Sequence, residues 1–310
     1  MPDRPDARTV CCIGGMTMDR TLKLLEPGVI GTSNPVLSRR TRGGVARNVA
    51  ENLARLSVPC RLVSIVGNDE PGRYILQETS VHGVDTGLVQ KSLSEPTGSC
   101  TRVVQPDGEL FASFADMSIC KLMDRDFIHN RWLQIANSTL VFADTNLPAE
   151  SLSYLITGCR ENEVTLVLDA VSTSKAKRLP LNLYGVDLLF CNTDEGRAML
   201  GDAMASDTGG MAKALCQRGA ASTVVTDGAR GICFARQDES ISLTASPGTV
   251  VDASGAGDAL VAGTLYGKLM GYDSATSLRI GLNAASMTIG CEDINHPELS
   301  VEAVAGNFDL

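Results

Sequence analysis

Short runs of β-branched and apolar residues alternate along this chain with segments of helical period, and this alternation restricts the fold more than any other feature. Strands are expected at 9–13, 62–66, 139–142, 166–168, 188–191 and 223–226, each followed by a stretch long enough for a crossover helix. After the first of them, Val45, Val49 and Leu53 recur every four residues, the mark of a buried helix face. Strands joined through helices pair in parallel, and a parallel sheet has to be covered on both faces. The expectation is an α/β fold with a doubly wound, mainly parallel sheet. Two stretches break the rhythm: 21–42 and 97–116 are rich in Ser, Thr, Gly and Pro, with short alternating runs at 99–104 and 109–114 that suit hairpin strands. They are read as a small separate sheet. No repeat, low-complexity tract or long linker interrupts the chain, so residues 1–310 are taken as one domain containing both segments.

Composition narrows the possible functions. A formal charge of −9 with no run of Lys and Arg argues against nonspecific binding to nucleic acid or to an anionic membrane, so any polyanion handled here should be small. The ten cysteines are scattered without a Cys-x-x-Cys pair, and the three histidines do not complete a zinc site. Buried, reduced thiols in a cytoplasmic protein are expected. Residues 1–9 are polar, and no apolar run approaches the roughly 18 residues that a membrane span requires.

The richest motif is Val251-Asp252-Ala253-Ser254-Gly255-Ala256-Gly257-Asp258, which runs into an apolar helix. Small residues let backbone approach an anion, and the helix start points free N–H groups and its positive dipole end at the same place. Asp258 would sit where that charge gathers, either as a base that takes a proton from a hydroxyl during phosphoryl transfer or simply as a helix cap. Four further candidates follow expected strands, where a doubly wound sheet binds its ligands. Asp19, after Gly14-Gly15, could accept from a diol. Gly43-Gly44 opens a helix and allows close approach to Asn48, although glycines also simply start helices. Asn192 and Glu195 lie one turn apart, fit either for a hydrated magnesium ion beside phosphates or for an N-cap with a first-turn acid. Thr226-Asp227-Gly228-Ala229-Arg230-Gly231 is a further glycine loop or a tight hairpin.

Taken in this order, the motifs resemble those of the ribokinase-like, or PfkB, family of carbohydrate and nucleoside kinases over nearly the whole chain. Its two signatures match Gly43-Gly44 to Asn48, with Gly67, Asp69 and Gly72 downstream, and Asp252 to Asp258. Within the family the chain resembles the pseudouridine kinases, through Ser33-Asn34-Pro35, the helix from Val45 to Ala54, Asp116-Met117, Asp169-Ala170-Val171-Ser172 with Lys175, and the stretch from Cys291 to Ser300. The resemblance implies an ATP-dependent kinase acting on the 5′-hydroxyl of pseudouridine, with another kinase of ribose or an ordinary nucleoside as the alternative within the family. It implies Asp258 as general base and the amides of Gly255, Ala256 and Gly257 as an anion hole. Asp19, Gly44 and Asn48 would hold the sugar; Ser33, Asn34, Asp116 and Lys175 would face the base. Asn192, Thr226, Gly228 and Gly231 would lie along the nucleotide, and Asn192 with Glu195 would organise Mg2+ through water. Asp252 would belong to a loop for K+, and segments 21–42 and 97–116 would form a lid that supports a homodimer. The chain departs from the family pattern at Met18, Ala170, Asp227 and Ala253. A noncatalytic sugar-binding relative would lack the base that Asp258 supplies. A Rossmann dehydrogenase is a poorer match, because the glycines after the first strand lack Gly-x-Gly-x-x-Gly.

Overall fold

The computed structural model describes residues 9–201, 207–245 and 250–305, so residues 1–8 of the polar amino-terminal stretch lie outside the described residues. Fifteen strands are described in chain order: β1 Val10–Ile13, β2 Thr17–Leu24, β3 Val36–Gly43, β4 Cys60–Val63, β5 Ile65–Gly67, β6 Val84–Asp85, β7 Gln90–Ser92, β8 Ser99–Val104, β9 Leu110–Asp116, β10 Leu140–Asp144, β11 Thr165–Asp169, β12 Leu188–Asn192, β13 Thr223–Thr226, β14 Ile232–Arg236 and β15 Glu239–Leu243. Nine of them form the main sheet, in the order β15-β14-β13-β12-β11-β10-β1-β4-β6. From β6 to β13 every pairing is parallel.

Strand pleating explains why these runs are apolar throughout instead of alternating with polar residues. Successive side chains point to opposite faces. Val10 and Cys12, like Leu188 and Phe190, enter one core layer, while Cys11 and Ile13, like Leu189 and Cys191, enter the other. The first layer is closed by helices Val45–Arg55, Ala256–Leu269 and Ser274–Ile289, which contribute Val49, Leu53, Leu265 and Leu278. The second is closed by Ala149–Glu161 and Thr208–Gln217 through Leu152, Leu155, Met211 and Leu215. Among the described residues, no helix is long and apolar enough to cross a membrane.

Two features extend the expectation. Beyond β13 the chain turns back, so β14 and β15 add an antiparallel edge; the Thr226–Gly231 loop is therefore the turn of a hairpin. The small sheet has the order β3-β2-β8-β9, two antiparallel hairpins joined by a parallel β2–β8 pair. It begins at Thr17, a few residues before the expected lid boundary.

The chain runs from β1 toward β4 and β6 on one side and returns to β10 on the other, so a topological switch lies between β1 and β10. A crevice outside the strand ends is expected there. The helix Ala256–Leu269 reaches this crevice because it packs closely on Ser274–Ile289. A Cβ on Gly263 would lie 2.8 Å from the Cα of Gly281 and 2.9 Å from the carbonyl oxygen of Ile280. Backbone cannot retreat as a side-chain tip can. Gly263→Ala is expected to destabilise the protein by about 1–3 kcal/mol through overpacking, read as a lower urea midpoint at unchanged slope.

Candidate active site

Two recesses meet at the strand ends. The larger, of about 960 Å³, lies under the small sheet and is lined by Asp19, Gly44, Asn48, Lys175, Asp252 and Gly255, among others. The smaller, of about 180 Å³, is lined by Asp169, Asn192, Glu195, Thr226, Gly257 and Asp258. Val45 and Val171 border both. Val171 has φ of 60°, a costly conformation for a β-branched residue; strain of this kind is concentrated at functional sites. Its N–H is held by the Asp169 carboxylate at 2.8 Å, and Ser172 N–H bonds across it to the Ala170 carbonyl at 2.6 Å.

Glycine is required at both loop ends. Gly44 has φ of 95°, and a Cβ there would collide with the Gly15 carbonyl. Gly255, at φ of 79°, is the N-cap of Ala256–Leu269, and a Cβ on it would strike the Ile294 carbonyl. This helix has no side-chain cap. Asp258 is its third residue and does not cap it; instead its Oδ2 accepts from Asn48 Nδ2 at 2.6 Å. Burial pushes the Asp258 carboxyl up to about 7, with Asp144 and Asp19 adding to the rise while Asn48 and Arg47 oppose it. The Ala256 N–H makes only a long bond of 3.4 Å, to the Ala253 carbonyl. A carboxylate poised near neutrality beside a helix N-terminus can accept a proton next to an anion.

Other expected residues fall into place to different degrees. Asp19 accepts from the Cys100 N–H at 3.1 Å, and burial raises its carboxyl. Asn192 and Glu195 form a reciprocal capping box: Glu195 N–H donates to Asn192 Oδ1 at 2.9 Å, and Asn192 N–H to Glu195 Oε2 at 2.8 Å. The capping alternative is thus realised, and the pair still lines the smaller recess. Thr226 lines that recess too, whereas Gly228 and Gly231 lie farther along the turn, closed by Asp227 N–H to the Gly231 carbonyl at 2.9 Å.

Ser33, Asn34 and Asp116, expected to face a ligand's base, are not among the residues lining either recess. Asn34 is occupied by its own loop, with Val29 N–H donating to its Oδ1 and its Nδ2 donating to the Val29 carbonyl, both at 2.8 Å. Asp116 is exposed and accepts from Ser118 Oγ at 2.6 Å. The lid is instead fastened by charge. Arg39 on β3 bonds Glu292 at 3.0 Å and Asp293 at 2.9 Å, and Arg102 on β8 bonds Ser254.

Sequence reasoning passed over Asp144 and gave Asp169, within a motif it quoted, no role of its own. Asp144 ends β10 and accepts from the Gly15 and Ala46 N–H groups, each at 2.9 Å. Asp169 ends β11, and burial, Glu195 and Asp258 hold its carboxyl well above the usual range. An acid closing an apolar strand was the available signal. Among the described residues no group of three or more His, Cys, Asp or Glu is arranged to hold a metal alone. The Asn192 carboxamide and the Glu195 carboxyl, which both line the smaller recess, nonetheless fit a hydrated magnesium ion shared with phosphate oxygens.

The raised carboxyl of Asp258 has a stability consequence. Protonated Asp258 favours the folded state at low pH, and that contribution is lost as pH rises from 3.8, its ordinary value, through about 7. Asp258→Asn removes the loss, so the melting temperature of the variant minus that of the wild type should become more positive between pH 5 and pH 8. A flat difference in differential scanning fluorimetry would contradict the assigned burial.

Comparison with known proteins gives the same reading. The model of the pfkB family carbohydrate kinases matches residues 7–300. A pseudouridine kinase of Escherichia coli (strain K12) is 30% identical over 278 residues, 88% of this chain and 87% of that protein. A guanosine-inosine kinase of Exiguobacterium acetylicum is 27% identical over 255 residues, 80% of this chain and 84% of that protein. A solved carbohydrate kinase from Agrobacterium tumefaciens superimposes with a TM-score of 0.83 at 29% identity, over 96% of each chain. On these matches the chain belongs to the pfkB family of carbohydrate kinases, phosphotransferases with the ribokinase-like α/β fold.

Proposed function

We propose that this kinase transfers the γ-phosphoryl group of ATP to the 5′-hydroxyl of pseudouridine, giving pseudouridine 5′-phosphate and ADP. The observation that carries the reading is the place of Asp258, on the wall of the smaller recess yet hydrogen-bonded to Asn48 on the wall of the larger. A nucleoside in the larger recess would offer its hydroxyl at this boundary, with Asp19, Gly44 and Asn48 on the ribose. Asp258 accepts the hydroxyl proton as the oxygen attacks. The N–H groups at Gly255, Ala256 and Gly257 stabilise charge on the transferring group, and Thr226 borders the nucleotide. Asn192 and Glu195 would hold magnesium through water, and the ion would supply neutralising charge for the phosphates.

Pseudouridine is chosen over other nucleosides on the likeness to pseudouridine kinases. Its carbon-linked base carries an extra ring N–H, which an enzyme reads by offering an acceptor. With Ser33, Asn34 and Asp116 off the cavity wall, that task falls to the Asn146 carboxamide, and Lys175 donates to a ring carbonyl; both line the larger recess. Exposed Leu37, Leu110 and Phe114 on the lid would be covered in a homodimer, and Asp252 would support a K+ loop. The guanosine-inosine kinase relative favours an ordinary nucleoside as the second reading.

A coupled ADP-release assay across pseudouridine, uridine, guanosine, adenosine, ribose and fructose separates the two. The expected kcat/KM for pseudouridine exceeds that for uridine at least about tenfold, the worth of one unpaired buried acceptor. A better rate with any other substrate removes the pseudouridine reading and leaves the kinase. In the same assay, Asp258→Asn should lower kcat by about 10² to 10⁴ while nucleotide binding persists. Chelation should abolish turnover and magnesium restore it, and near-normal turnover of the variant would refute the proton-acceptor role.

A further inference from the structure

Arg47 is fully buried, and every nitrogen of its guanidinium donates a hydrogen bond. Its Nε donates to the Gly43 carbonyl at 3.1 Å, and one terminal nitrogen donates to Glu51 Oε2 at 2.5 Å. The other serves the Arg42 carbonyl at 3.1 Å, Asn295 Oδ1 at 2.6 Å and Asn48 Oδ1. Asn295 closes the ring by donating to the Asn48 carbonyl at 2.9 Å and to Asn52 Oδ1 at 2.8 Å. A guanidinium only donates. The Asn48 carboxamide must therefore turn its oxygen toward Arg47, which leaves its NH2 for Asp258, the bond observed at 2.6 Å. A flipped amide would set oxygen against the carboxylate.

We propose that Arg47 is a positioning residue for phosphoryl transfer: it locks the Asn48 carboxamide with its NH2 toward Asp258, and Asn295 braces the lock from the carboxyl-terminal loop. The inference rests on the kinase reading of Asp258. Its electrostatic surroundings give it a signature that a purely structural role would lack. Asp258 faces Arg47 from the first helix, Asp19 from β2, Asp144 from β10 and Asp169 from β11, and of these only Arg47 favours the ionised base. Arg47 is itself balanced by Glu51, around which Arg42, Arg55 and His82 also gather.

The test is the pH profile of kcat/KM for wild type, Arg47→Met, Arg47→Lys and Asn295→Asp. In Asn295→Asp a carboxylate would draw the guanidinium from Asn48 and offset its charge. Arg47→Met and Asn295→Asp should both move the acid limb upward by about half a unit or more, as expected when a favourable charge is withdrawn from a carboxylate. Both should lower kcat by about tenfold to a hundredfold through misplacement of the base, and Arg47→Lys should recover part of each loss. If Arg47→Met does not fold, Asn295→Asp decides alone. A folded variant with the wild-type acid limb and normal kcat overturns the proposal. Wild-type protein that phosphorylates none of the nucleosides or sugars refutes the kinase reading instead.

Discussion

Asp144 accepts backbone N–H groups from Gly15, Ala46 and Asn146, each at 2.9 Å, with no exposure to solvent. One carboxylate thus joins the loop after β1, the first turn of the Val45–Arg55 helix and its own strand end. Without it three buried donors would be left unpaired, each costing about 1–3 kcal/mol. The position of Asn48 follows from this junction, because it lies in the helix turn that Asp144 fastens. The position of Asp258 follows from Asn48.

Acidic groups crowd the same end of the sheet. Asp19, Asp169, Glu195 and Asp258 all have raised carboxyls there, and in each case burial is the largest cause. The positive end of Ala256–Leu269 and the buried Arg47 oppose that rise locally. The balance leaves one carboxylate close to neutrality where the two recesses meet, and that proximity to neutrality, more than any single contact, suits it to proton transfer.

Much of this was readable in the amino-acid order. Runs such as Leu188 to Cys191 announce strands because both of their faces are buried, and Gly255 announces a turn because no other residue adopts its backbone beside Ile294. The antiparallel edge is legible only as one of two readings of the Thr226–Gly231 loop, because Ile232 to Arg236 and Glu239 to Leu243 are short and follow a glycine turn that periodicity does not orient. Asn34 and Asp116 present a different ambiguity, since each is hydrogen-bonded within its own loop. Short polar residues satisfy their own turns as readily as a ligand, and only geometry separates the two uses. Arg47 carried no local signal at all, since an arginine inside an apolar helix pattern becomes meaningful only when Glu51, Asn48 and Asn295 surround it.

The carboxyl-terminal loop holds two unrelated fastenings within four residues. Glu292 and Asp293 clasp Arg39 of the lid, and Asn295 reaches Arg47 beneath it. The small covering sheet and the Arg47–Asn48–Asp258 chain of hydrogen bonds are therefore joined through one short segment. Were that clasp to loosen, thermodynamic reciprocity would apply: whatever free energy closure delivered to the alignment of Asp258, alignment of Asp258 would return to closure. Under the proposed kinase reading, a lid unclasped at Arg39 would also slacken the brace on Arg47, so that the proton acceptor would be aligned only when the site is covered.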